Sequence, residues 1–401
     1  MIAYLLTASS PLYPFSRPAS SFVFRGGTLR QRLTEQLQKA GYTVKEVDSL
    51  DAVSIETNSL VLSDDVIISD SLIKTFLKAI PSKKKNYQLE IDVSRYPMMT
   101  PKEHESQYRT MPIYYIGKAG QFSDLRTEIV SLTPKATLIV EDGLPERMHE
   151  LKNLQAHFLE LFALQIRYWF DLQVATTCYC GEFVAKLAAP AGMLPEMVSN
   201  KIFSWTWLME KANVVGKNTR IHPTAVLEGC VIGDNVEIGP YAYLRSAVVD
   251  DGAVLRERST VKLSYIGKHA YIVGSDVLNC YIGHESSVIT PLLYHMVFGE
   301  YSFISGGSGF ADFNAGSTTV TAVVGDEEMN TNLYYLGSCV ADHCFIGANM
   351  IFAPGRAIPD GTRFLDQGLL KNLPKEGNNT YVLSGNQFIQ IPQSFFGASE
   401  S

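Results

Sequence analysis

Few side chains in this sequence sit at spacings that do chemistry unaided. Cys178 and Cys180 form a C-x-C, but no second cysteine pair or histidine pair lies at zinc-ligand spacing, so the motif predicts no metal centre. A loop after a first strand is where α/β proteins often hold a phosphate. Here that loop is "LLTASSPLYPFSRPA" (5–19), directly after the apolar start Ile2–Leu6. Phosphate loops work through backbone N–H groups brought close by glycine. This one has no glycine and three prolines, Pro11, Pro14 and Pro18, whose ring nitrogens carry no N–H. It is placed for an anion and poorly made to bind one.

The bulk numbers narrow the rest. A chain of 401 residues has room for about two or three domains, and 46% hydrophobic with 19% charged residues is an ordinary globular composition. A net charge of −7 gives no electrostatic reason to expect nucleic acid, and the dense basic run Lys83–Lys85 reads as a solvated loop. Six cysteines in so long a chain make no disulfide framework. The first residues have no basic region followed by a long apolar stretch, so no secretory signal is expected. The apolar stretch "FLELFALQIRYWF" (158–170) contains Glu160, Gln165 and Arg167 and is too short to cross a bilayer. The expectation is a cytoplasmic protein with no membrane span.

The elements that must position any site fall into two textures. Up to about residue 120, strand and helix alternate. Ile2–Leu6, "YTVKEV" (42–47) and "SLVLS" (59–63) read as strands. Thr28 with Gln31 has capping-box spacing and opens a helix carrying Leu29, Leu33 and Leu37, which ends at Gly41. "DSLIKTFLKAI" (70–80) is a second helix. This alternation predicts a mainly parallel sheet covered by helices. "MPIYYIG" (111–117) and "ATLIVED" (136–142) add strands. Leu151, Leu154, Phe158 and Leu161 stand at helical spacing within 146–172, and Trp205, Trp207, Leu208 and Met209 belong to a packed connector.

From Val215 a period near six takes over. Apolar residues step through Ile232, Ile238 and Leu244, and later through Val340, Ile346, Phe352, Ile358 and Phe364, usually followed by a small or polar residue. Six residues make one flat face and three faces make a rung, so the pattern predicts a parallel β-helix with the aliphatic residue pointing inward. The pattern blurs at 284–335, where "HESSVITPLLYHM" and "GDEEMNTNLYY" read as insertions looping out of the coil. Loops on such a coil are where binding is expected.

"CFIGANMIFAPGRAIPDG" (344–361), followed by "LLKNLPKEGNNTYVLSGNQ" (369–387), resembles the last rungs and tail of hexapeptide-repeat acyltransferases. The resemblance implies a left-handed β-helix that trimerises and holds acyl-CoA, acetyl-CoA in the simplest case, between neighbouring coils, with Gly347, Ala348, Pro354, Lys371 and Gly385 lining that site. "IGPYAYLR" (238–245) and "VFGEYSFISGGSGFADFN" (297–314) resemble the bifunctional uridyltransferase/acetyltransferase family of UDP-N-acetylglucosamine synthesis. That resemblance implies substrate-binding roles for Arg245, Lys262, Asp312 and Asn314, the cations suiting a phosphate. The chain departs from the family at Asp312-Phe313, where Asn-Tyr is usual. It departs again at the family's histidine, whose place falls on Lys262 or Ser275. Acyl transfer still needs a base near neutral pH, and His284 and His295, on or beside the inserted loop, are the candidates. His343 and His222 read as structural.

The first part is similar to sugar nucleotidyltransferases over "LYPFSRPASSFVFRGGTLRQRLTEQLQKAGY" (12–42) and "LVLSDDVII" (60–68). The resemblance implies that Asp65 would bind magnesium if this domain were active, and Arg17 remains as an anion contact. The family's glycine-rich loop is missing and its lysine position is Ala19. The expected organisation is a degenerate α/β nucleotidyltransferase-like domain of Rossmann type at 1–195, a helical connector at 196–214, an all-β left-handed β-helix at 215–365 and a tail at 366–401. The expected function is acyl transfer to a sugar phosphate or nucleotide sugar. A catalytically inactive regulatory homologue and an active nucleotidyltransferase with an atypical loop are the alternatives.

Overall fold

The computed structural model describes residues 1–51, 53–93, 108–139, 156–188, 212–314, 319–365, 368–370, 373–384 and 387–392. The first part contains a six-stranded sheet in which Ile2–Leu6 lies between Thr43–Val47 and Ser59–Ser63, both parallel to it. The long strand Tyr108–Ile116 runs antiparallel to both its neighbours, Ser59–Ser63 and Tyr87–Asp92, while Glu128–Leu132 is parallel to Tyr87–Asp92, so the sheet is mainly parallel, as expected, and one reversed strand makes it mixed. Helix α1 (Leu29–Lys39) opens on the expected capping box: the Gln31 amide donates to Thr28 Oγ1 at 3.2 Å and the Thr28 amide to Gln31 Oε1 at 2.8 Å. It buries Leu29, Leu33 and Leu37, and helix α2 (Leu72–Ala79) buries Leu72, Ile73 and Phe76.

One expectation about the middle of the chain is corrected. Phe158 and Leu161 do not lie on a helix but on the strand Ala156–Leu161, which pairs with Lys135–Ile139; Ala163–Gln165 forms another strand. The helix comes later, as α3 (Trp169–Ala188). Apolar residues spaced by three or four mimic helical periodicity when two short strands follow each other closely. Cys178 and Cys180 lie buried on α3, where burial pushes the Cys178 thiol up to about 12. Leu151, Leu154, and Trp205 to Met209 of the connector lie outside the described residues.

The second part is a parallel β-helix with three faces. One face stacks eight strands from Val214–Val215 to Ala357–Ile358, and a second stacks Arg220–Ile221 through Arg363–Phe364 and continues into Thr380–Ser384 and Gln387–Ile391. The third stacks Val226–Glu228 to Leu292–Tyr294 and resumes with Gly309–Phe310, Met350–Phe352 and Gly368–Leu370. Equivalent residues recur after 17 positions early in the coil, 16 in its middle and 18 near its end. The expected inward residues, from Ile232 to Phe364, form one buried column. Corners turn through left-handed residues such as Asn235, His269, His295 and His343, and side-chain acceptors tie each rung to the next: the Asp342 amide donates to Asp360 Oδ1 and the Asp234 amide to Asp251 Oδ1.

Only one of the two expected insertions leaves the coil. Residues 284–296 form regular rungs through Ser287–Val288 and Leu292–Tyr294, shortened by one residue, which is what blurs the period. The true insertion is an antiparallel hairpin, Thr321–Val324 with Glu327–Asn330, between the rung at Val297–Phe298 and the rung at Cys339–Val340.

The two parts share a core. The outward residues of the eight-stranded face, Val231, Val248, Tyr265, Tyr281, Val297, Cys339 and Ala357, belong to the same buried cluster as Phe22, Phe24, the α3 side chains and the hairpin's Val320, Ala322 and Met329. Phe24 packs at 5.4 Å from Tyr265 and 5.3 Å from Tyr281, and the Tyr281 hydroxyl donates to the Val23 carbonyl at 3.1 Å. We call this the docked face, the ten-stranded one the open face and the third the site face.

Candidate active site

The site face builds a row of outward side chains by register. Glu228 pairs with Arg245, Arg245 with Lys262, Lys262 with Leu278 and Leu278 with Tyr294, each a strand spacing of ~4.8 Å further along the coil. After Glu228 the row places two cations on neighbouring rungs. Arg245 Nε lies 3.5 Å from Glu228 Oε2, and Lys262 Nζ lies 5.8 Å from the centre of the Tyr243 ring. The row ends beside a histidine.

That histidine is His295, at the edge where the site face turns into the docked face, with φ of 54°. Its Nδ1 lies 2.9 Å from Asp312 Oδ2, one rung on, and both side chains are more than four-fifths buried. A carboxylate at Nδ1 keeps the proton on that nitrogen and leaves Nε2 as the basic one. Tyr335 stacks on the imidazole at 5.3 Å and 22°, and Tyr294 presents an edge at 6.4 Å. The Tyr294 hydroxyl donates to Asp276 Oδ2 at 2.7 Å. The unit can take a proton from a nucleophile that reaches it along the site face.

His284 occupies a different edge, between the docked and open faces. Its Nδ1 lies 3.2 Å from Glu300 Oε1, and the same oxygen is 2.7 Å from Arg17 Nη1 of the first loop. Arg17 also sets Nε 2.7 Å from Asp342 Oδ2, and its guanidinium covers the Phe22 ring at 4.0 Å. The Ser16 amide and hydroxyl both donate to Asp360. Three acidic corner residues on successive rungs, Glu300, Asp342 and Asp360, are thus met by one loop. Burial pushes the Glu300 carboxyl up, but hydrogen bonding from His284 and the charge of Arg17 outweigh it and hold the group below the usual range. Burial dominates at Asp342 and raises it.

The other implied residues are spread over the coil. Gly347 and Ala348 stand at the edge between the open and site faces, and a Cβ on Gly347 would come within 2.9 Å of the Phe364 carbonyl. Pro354 precedes Gly355 on the same edge as His295. Asn314 is exposed just beyond Asp312, whereas Lys371 and Gly385 lie outside the described residues. Ser275 is buried, its hydroxyl donating to the Val273 carbonyl, and is part of the corner. Sequence reasoning misses Tyr335 because an aromatic residue in a loop carries no spacing signal, and Tyr294 because its shortened rung reads as an insertion.

Asp65 follows the strand Ser59–Ser63. Burial pushes its carboxyl up, Gln165 Nε2 donates to its Oδ2 at 2.9 Å, and its Oδ1 has no hydrogen-bond partner among the described residues. The neighbouring Asp64 takes Arg30 at 2.6 Å and the Ala8 amide at 2.8 Å. Among the described residues no three His, Cys, Asp or Glu side chains group as metal ligands.

Residues 214–246 match the bacterial transferase hexapeptide family. With the stacked rungs, this makes the coil a hexapeptide-repeat β-helix. Among curated proteins no match to the chain is found. Similar solved structures include the polysialic acid O-acetyltransferase OatWY, at 17% identity over 44% of this chain and 87% of its own, with a TM-score of 0.22. Another is a mutant of AntD, an N-acyltransferase from Bacillus cereus, in complex with dTDP-4-amino-4,6-dideoxyglucose and coenzyme A. It is 18% identical over 45% of this chain and 82% of its own, with a TM-score of 0.21. Likenesses of this size carry no argument about activity. Among the described residues no helix is long and apolar enough to cross a membrane.

Proposed function

We propose that the coil is an acyltransferase that moves an acyl group, acetyl in the simplest case, from acyl-CoA to an amino or hydroxyl group of a sugar phosphate or nucleotide sugar. The observation that carries this reading is the His295–Asp312 pair at the end of the row holding Arg245 and Lys262. His295 Nε2 takes the proton from the acceptor as its nitrogen or oxygen attacks the thioester carbonyl. The carbon–sulfur bond then breaks, and the CoA thiolate leaves and takes up a proton. Asp312 holds the imidazole and its tautomer, which gives it an orienting role in addition to the substrate contact that the family resemblance implies. Arg245 and Lys262 hold the substrate phosphate, and Asn314 stands at the far end of the row, just beyond Asp312. In the homotrimer that the family resemblance implies, Gly347, Ala348 and Pro354 are the described residues that would line the acyl-CoA path.

The test is acetyl-CoA consumption by the full chain against a panel of amino-sugar phosphates and nucleotide amino sugars. The reading expects turnover with at least one acceptor, lost in His295→Gln. No turnover across the panel, together with no CoA binding, contradicts it and favours the inactive homologue.

A further inference from the structure

We propose that the N-terminal domain serves as the scaffold that positions His295, acting through the inserted hairpin. This rests on reading His295 as the base. A corner of a β-helix fixes the Cα of a histidine but not its ring, because the ring projects from the edge and its torsions answer only to side chains around it. The two groups that hold the imidazole, Asp312 and Tyr335, stand at the two ends of the inserted segment. The Leu336 amide donates to the Asp312 carbonyl at 2.7 Å and the Gly337 amide to the His295 carbonyl at 2.9 Å, so the base of the hairpin is closed around the site.

The hairpin is held from two sides. On the coil side, the Val323 amide donates to the Gly355 carbonyl at 2.8 Å. Gly355 has φ of 71°, and a Cβ there would run into the Thr321 carbonyl, so only glycine lets the hairpin lie this close. On the other side lies the N-terminal domain. Trp169, fully buried at the start of α3, donates from Nε1 to the Val323 carbonyl at 3.1 Å. Val320, Ala322, Met329, Leu333 and Leu336 join the N-terminal core. Further along α3, Thr177 Oγ1 donates to Asn279 Oδ1 at 2.6 Å, at the corner one rung before His295. Helix α3 therefore grips the rung on one side of the histidine and the hairpin on the other. Trp169 and Tyr335 are positioning residues: they act on His295 and touch no substrate.

The experiment compares the full-length wild type with Trp169→Phe, Tyr335→Phe and Tyr335→Ala, using amide hydrogen exchange and the ¹⁵N signature of the His295 tautomer. Trp169→Phe is expected to speed exchange in 319–336 about tenfold, the effect of one lost buried hydrogen bond. It should also replace the single His295 tautomer by a mixture. Tyr335→Ala, at a half-buried position that leaves the core intact, should lose the single tautomer, and Tyr335→Phe should keep it. With acetyl-CoA and an accepted sugar, Trp169→Phe and Tyr335→Ala should lower kcat about tenfold at unchanged KM for acetyl-CoA. Wild-type exchange and tautomer in Trp169→Phe, or equal loss in both Tyr335 variants, overturns the proposal. If His295→Gln keeps full turnover while the exchange and tautomer results stand, the catalytic reading fails and the positioning does not.

Discussion

The coil carries two histidine–carboxylate pairs of similar geometry, and their surroundings separate them. His295 and Asp312 lie 2.9 Å apart, His284 and Glu300 3.2 Å apart, each pair at a corner and across one rung. The first closes the site-face row that carries Lys262 and Arg245 two and three strands back, and its imidazole stacks on Tyr335. Beside the second, Arg17 already occupies the carboxylate and ties it to the N-terminal domain. The same two residue types therefore make a proton-transfer unit at one edge and a docking joint at the other. Both imidazoles meet an aromatic ring, Tyr335 stacked at 5.3 Å on the first and Tyr301 edge-on at 5.0 Å to the second. What decides is the guanidinium that neutralises the second carboxylate and, among the described residues, is absent from the first.

That contrast can be broken most sharply at His295. Replacing it by Gln should lower kcat by ~10²- to 10⁴-fold, the usual worth of a positioned base, with acetyl-CoA binding retained by calorimetry. Asp312→Asn should cost about 10²-fold in kcat, because an amide no longer fixes the tautomer; an unchanged rate would reduce the pair to a structural contact.

At the other edge the loss is of stability. Arg17→Ala leaves two mostly buried carboxylates facing each other and should destabilise the chain by ~3 kcal/mol, read as a lower Tm and faster exchange in the docked loop. It should also move acid unfolding to higher pH. Glu300 is held below its unfolded value, so its contribution is present above the ordinary glutamate range and is lost as pH falls through the lower folded value. Without Arg17 both Glu300 and Asp342 take up protons earlier on acidification. Asp342, already raised by burial, acts in the opposite sense at higher pH.

Between these, Arg245→Ala and Lys262→Ala should each raise KM for a phosphate-bearing acceptor about tenfold while leaving KM for acetyl-CoA unchanged. The smallest effect expected is that of His284→Gln, less than about threefold in kcat, since its partner is held by Arg17.

Much of the coil was legible because a β-helix repeats one inward position: Ile346, Phe352, Ile358 and Phe364 announce it by spacing alone. Rungs one residue short broke that spacing at His284–Met296 and made regular coil look like an insertion. The capping box at Thr28 and Gln31 was equally readable, being local. What was not legible is non-local. The loop "LLTASSPLYPFSRPA" lacks the glycines of a phosphate loop, and the structure shows what its residues do: Ser16 and Arg17 bind the acidic corner ladder of a coil more than 280 positions away. Asp312 was read as a substrate contact by resemblance, and only the rung stacking sets it on His295. Tyr335 reaches the site because the hairpin folds back, which no period encodes.

The most direct test of the central claim is the rate of acetyl transfer to an accepted sugar, measured side by side for His295→Gln and His284→Gln in the full chain. The account predicts turnover reduced at least about 10²-fold in the first and near wild type in the second. Equal rates in both, or the larger loss in His284→Gln, would contradict it.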